Sequence, residues 1–160
     1  MKRPFLKSAM RTVLVALFLL LSIQTIVSAD TKARNRIVGV WETQVTIFNC
    51  STGDPIANFR GLNKYELGGT GQVVPATNPA ALSAHMSIWS YVSGNDYQLA
   101  FKMFRFDAAG NYIGWVIVRF NVAINDDATE LTASGQAEFF DSNGNLLSTS
   151  CPNFTGSRFQ

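Results

Sequence analysis

From residue 37 onward the chain is a succession of strand-length apolar runs, each closed by turn residues, and this pattern restricts the fold more than any other feature. Eight runs are legible, at 37–49, 57–67, 71–75, 83–92, 97–107, 112–125, 129–141 and 146–150, the last extending toward 159. No window sustains the i, i+3, i+4, i+7 spacing of an amphipathic helix, whereas β-branched and aromatic residues are dense. The connections hold residues that tolerate positive φ: Ser93-Gly94-Asn95-Asp96, Asp107-Ala108-Ala109-Gly110-Asn111 and Asp141-Ser142-Asn143-Gly144-Asn145. Consecutive runs joined by short hairpins predict an all-β fold, an eight-stranded up-and-down antiparallel sheet. Several runs are long for a sandwich and suit a small closed barrel, where closure removes the exposed edges. The longest irregular stretch, 76–82, is the expected mouth loop.

Period-two alternation assigns the two faces of each run. On the first, Ile37, Gly39, Trp41, Thr43, Val45 and Ile47 read as interior, opposite Glu42 and Gln44. Phe59, Asn63, Tyr65 and Leu67 share a face on the second run; Leu99, Phe101, Met103 and Arg105 share one on the fifth. Val116, Val118, Phe120 and Val122 do so on the sixth. Phe104, Phe106, Trp115 and Phe140 fall on the other side, so part of the outer surface is apolar and could serve a homo-oligomer or another interaction.

The residues before this pattern read differently. Lys2, Arg3, Lys7 and Arg11 precede the apolar run 13–21, and Val27-Ser28-Ala29 places small residues where signal peptidase cuts. Residues 1–29 are therefore expected to be a cleaved signal peptide, with 30–160 as one β-barrel domain, secreted or periplasmic. Polar residues after Leu21 leave the apolar run short of the ~20 needed to span a bilayer, so no stable membrane anchor is expected. The intact chain has 13 basic and 11 acidic residues. Removing the four basic residues of the signal turns the formal charge of +2 into −2. That balance argues against nucleic acid as a partner.

Export makes a disulfide the expected state of Cys50 and Cys151, the only two cysteines. If they stand directly opposite each other in an antiparallel pair, Arg158 falls opposite Thr43 and diagonally beside Trp41. The bridge would then join first strand to last, as closure of a barrel requires.

Gly39-Val40-Trp41 near the start of the first run, together with Arg158 near the carboxy end, resembles the Gly-x-Trp motif and late arginine of lipocalins and other calycins. In that superfamily the arginine packs across the indole and closes the barrel floor, which implies structural roles for Trp41 and Arg158. A further resemblance, to a family of small secreted bacterial proteins, runs through Asn49-Cys50-Ser51-Thr52-Gly53, Gly68-Gly69-Thr70, Ile88-Trp89, Phe104-Arg105-Phe106-Asp107 and Gly156-Ser157-Arg158-Phe159. It implies fold and export, and supplies no reaction.

The residues themselves indicate no catalytic constellation. His85 is the only histidine, and with two cysteines it is too little for a zinc module, so neither metal nor cofactor is expected. Gly68-Gly69-Thr70-Gly71 lacks the Lys-Ser/Thr of a phosphate loop. The primary expectation is a barrel holding a small hydrophobic or amphipathic ligand. Phe59, Tyr65, Trp89, Phe101, Met103 and Phe120 would form its wall, with His85 or Arg105 meeting a polar head. Two alternatives stand beside it: a barrel enzyme of the isomerase or cyclase type that steers a reactive intermediate, and an interaction protein using the outer aromatic face.

Overall fold

Eight strands follow one another in chain order: β1 (Gly39–Phe48), β2 (Pro55–Tyr65), β3 (Thr70–Pro75), β4 (His85–Ser93), β5 (Asp96–Phe106), β6 (Tyr112–Ile124), β7 (Glu130–Phe140) and β8 (Leu146–Arg158). Each pairs antiparallel with its neighbours, and β1 pairs with β8 to close the barrel. This is the all-β, disulfide-linked barrel that the alternation of runs and turns implies. The computed structural model describes residues 34–159. The expected signal peptide at 1–29 lies outside the described residues.

Turn chemistry fixes where strands end. Asp107 and Asp141 each accept backbone N–H groups two and four residues on through one carboxylate oxygen, and the side chain of Asn111 or Asn145 through the other. The Asn side chains are the main cause holding both carboxyls below their ordinary range. Two hairpins of the same pattern, Asp-x-x-Gly-Asn, thus use one device, a local carboxylate cage that replaces the ladder beyond the strand ends.

The seam between β1 and β8 corrects the expected register by two residues. Arg158 stands directly opposite Trp41, not Thr43, and Cys151 faces Phe48. Cys50 has already left β1 for the turn, and its sulfur reaches back to Cys151 across a Cα–Cα distance of 5.1 Å. Direct cross-strand opposition is therefore not required of the bridge. Leu67 is also corrected: β2 ends at Tyr65, and Leu67 projects into solvent from the β2–β3 turn.

The two ends of the barrel are built differently. At the floor, where β1 begins and β8 ends, the interior holds Ile37, Trp41, Tyr65, Tyr97 and Leu131, each essentially inaccessible to water. Trp41 donates its indole N–H to the carbonyl of Ile37 at 2.8 Å. Arg158 lies over the indole at 4.3 Å and donates to the carbonyls of Arg36, Val38 and Ala128 at 2.6–2.9 Å. Gly39 makes this approach possible. Its φ of +135° disfavours any side chain, and a Cβ there would collide with the Arg158 guanidinium.

Toward the other end, the inward positions change from bulky to slim. Val45, Val73, Val116, Val118, Ala137 and Ser150 replace the tryptophan and tyrosines of the floor. An eight-stranded barrel is just wide enough for side chains to fill or for one small ligand. Here the floor half is filled and the mouth half is not.

Candidate functional site

The unfilled half is a cavity of about 160 Å³ inside the barrel, lined almost wholly by apolar side chains. Its wall includes Val116, Val118 and Phe120 of β6, Phe101 and Met103 of β5, Ile47 of β1, Phe59 of β2 and Phe139 of β7. Phe101 and Phe120 pack with ring centroids 5.8 Å apart, and Phe120 meets Phe154 edge-on at 4.8 Å. The loop between β3 and β4 contributes Thr77 and Leu82 to the rim. That loop is pinned by backbone bonds from Ser83 N–H to the Phe104 carbonyl and from Phe106 N–H to the Ala81 carbonyl, both 3.0 Å. The expected mouth loop is thus at the mouth, held as an irregular extension of the sheet.

Three polar side chains on this lining are unusual for their surroundings. His85, the first residue of β4, is 3% exposed and stacks on Phe101 at 5.6 Å with the rings within 17° of parallel. Neither of its ring nitrogens has a hydrogen-bond partner. Ser150, on β8, is 4% exposed, and its hydroxyl also has none. Buried polar groups are almost always paired, so two orphans on the lining of one cavity mark a place where the chain has kept hydrogen-bonding capacity in reserve. Arg105 is the third. Half-buried at the outer wall, its guanidinium lies 5.6 Å above the Phe139 ring and forms no ion pair among the described residues.

Of the neighbouring interior polar groups, the Ser87 hydroxyl is also without a partner, whereas Asn63 and Thr43 are satisfied. Asn63 donates to the Tyr65 hydroxyl at 3.0 Å, and Thr43 donates to the Gly61 carbonyl at 3.1 Å. Burial pushes the Tyr65 phenol well above its ordinary range, so it remains a neutral structural group.

Of the eight wall and head-group residues expected from sequence, the structure brings six to the cavity: Phe59, His85, Phe101, Met103, Arg105 and Phe120. Tyr65 and Trp89 belong to the floor instead. Tyr65 is buried beneath Asn63, and Trp89 packs edge-on against Tyr97 at 6.0 Å with its indole N–H on the Glu66 carbonyl. Both face inward, as alternation says, but at the wrong depth. Ser150 and Phe139 are among the lining residues that sequence reasoning passed over. Their signal was the continued alternation along β7 and β8, where Ala137 pairs with Ser150.

Burial also pushes the His85 imidazole down to about 4, so the ring is neutral at ordinary pH. Arg105 is the other ionisable group on the lining. Well above pH 6.5 the ring is neutral in both folded and unfolded chains and contributes no pH dependence. As pH falls toward 4, the unfolded chain takes up the proton first, and stability drops. The loss between pH 7 and 4.5 should be roughly 2–3 kcal/mol. Urea unfolding at the two pH values checks this: His85→Phe should remove that share of the loss, and an unchanged difference would contradict it.

No family model and no curated protein matches this chain. Among solved structures it is similar to the crystal structure of Rv2717c from M. tuberculosis, at 10% identity and a TM-score of 0.39, over 78% of this chain and 94% of that one. It is also similar to a redesigned β-barrel, at 14% identity and a TM-score of 0.32, over 81% of this chain and 96% of the other. Likenesses at this level assign no role to any residue, and the closed barrel stands on the chain's own strand ladder.

Proposed function

We propose that this chain is an exported, calycin-like binding barrel whose interior takes up one small apolar or amphipathic molecule. The observation that carries this reading is the cavity of about 160 Å³, apolar in its walls yet holding a buried histidine with no partner. A dry apolar cavity of ~150 Å³ in an engineered lysozyme accepts benzene, so a space of this size suits a single ring or a chain of similar bulk. It is too small for a large lipid to enter whole.

Native mass spectrometry of the protein as secreted by its host, with organic extraction of the same sample, tests the reading. A retained small molecule, or saturable uptake of phenol-sized probes, is expected. Ala137 is buried on the cavity wall, so Ala137→Leu should fill the space and abolish uptake while leaving the fold intact. Uptake unchanged in that variant would place the ligand elsewhere and sink the proposal. The export half of the reading has its own check: the secreted protein should begin at Asp30, and recovery of an intact amino terminus would overturn it.

A further inference from the structure

The polar groups on the lining specify a ligand chemistry, an inference that rests on the reading of the cavity as a ligand site. The lining offers His85 on β4 and Ser150 on β8, both without partners. A neutral imidazole presents one donor and one acceptor nitrogen, and a serine hydroxyl can act either way. The group that satisfies such a set is itself both donor and acceptor, and uncharged, because an ion buried there would lose its hydration without a counter-ion. A hydroxyl has these properties. A carboxylate, which only accepts, does not.

The outer wall makes the opposite demand. Arg105 has no acidic partner among the described residues and is half-buried over Phe139. A guanidinium in that setting is a ready partner for a planar carboxylate. Between the two ends the wall is aromatic. His85 stacks on Phe101, Phe101 lies against Phe120, and Phe139 sits beneath Arg105. Met86 pairs with Lys102, so His85 falls opposite Met103, and Arg105 stands two residues farther along β5, a rise of ~7 Å at ~3.3 Å per residue. One ring with substituents at its two ends spans that rise.

We propose that the preferred ligand class is a monocyclic aromatic carboxylate bearing a hydroxyl group opposite the acid. The hydroxyl meets His85, the ring lies among Phe101, Phe120 and Phe139, and the carboxylate meets Arg105 at the mouth. The neutrality of His85 at physiological pH agrees with this, since a protonated ring would offer donors alone.

Calorimetric titration with 4-hydroxybenzoate, benzoate and 4-methylphenol tests the assignment. The first probe should bind about tenfold tighter than either of the others, each of which lacks one of the two polar ends. His85→Phe keeps an aromatic ring on Phe101 and should erase the preference over benzoate alone. Arg105→Met should erase the preference over 4-methylphenol alone. In the unmodified protein, the ¹⁵N resonances of the His85 ring should shift with 4-hydroxybenzoate and much less with benzoate, a readout independent of whether a variant folds. If all three probes bind alike, the ligand class is overturned while the cavity reading survives. If none binds, both fall.

Discussion

Replacing both Cys50 and Cys151 with alanine should lower the free energy of unfolding by about 4–5 kcal/mol, the largest effect expected of any change outside the cavity. The bond joins residues 101 apart in sequence, so it encloses nearly the whole barrel. Cross-linking so long a loop removes much of the conformational freedom of the unfolded chain, and the chain-entropy model gives that magnitude. The folded state contributes less, because β1 and β8 are already paired from Trp41 to Phe48. The effect should therefore appear in the unfolded ensemble as well: the denaturant slope of the variant should rise as the chain without the bridge exposes more surface. Urea unfolding of oxidised protein and variant measures both quantities. A loss under 1 kcal/mol with an unchanged slope would mean that the β1–β8 ladder alone closes the barrel.

Trp41→Ala should cost about 3–5 kcal/mol. The indole is wholly buried, so its removal leaves a large void at the floor. It also strands the Ile37 carbonyl, which receives the indole N–H, and uncovers the face on which Arg158 lies. Arg158→Ala should cost about 2–4 kcal/mol, because the guanidinium serves the carbonyls of Arg36, Val38 and Ala128, joining the amino-terminal turn to the β6–β7 hairpin. The two residues touch, so their effects should not add. A double-mutant cycle should give a coupling of about 1–2 kcal/mol. Strict additivity would show that the stacking contributes nothing beyond the separate contacts. Either substitution should leave ligand uptake by the folded protein unchanged, since both residues lie outside the cavity lining.

The architecture was legible because turns and alternation are local signals. Asp107 to Asn111 announces a hairpin by its own hydrogen-bonding chemistry, and residues Leu99 to Arg105 alternate within one strand. Depth along the barrel axis is not local. Tyr65 and Trp89 face inward as readily as Phe101 does, but whether an inward side chain meets floor or mouth depends on how eight strands stagger against one another. The two-residue shift at the seam has the same origin. A disulfide read as a directly opposed pair fixes one register, whereas the real bond leaves from a turn residue and permits another. Whether a cavity exists depends on summed volumes. The valines of β6 and Ala137 are slim enough to leave one, and only their assembly with the large floor residues shows where the space falls.

His85 illustrates a different limit. Its sequence context, an isolated histidine at the start of a strand, suits a hydrogen-bonded structural residue equally well. What separates the two readings is the absence of any partner for either nitrogen, a property of the surrounding strands and not of its own neighbours in the chain. The outer aromatic cluster, in which Trp115 stacks on Phe140 at 5.4 Å and Lys102 lies 4.8 Å above Trp115, was legible as a patch. Its rings are largely occupied by one another and by that lysine.

The central claim is that the mouth half of this barrel is a binding space, and methyl NMR during a titration with phenol tests it most directly. Saturable shifts are expected at Met103, Ile47, Val116 and Val118, which line the cavity, and none at Met86, Ile88 or Leu67, which project into solvent. Shifts that fail to saturate, or that appear only at the outward methyls, would contradict the account.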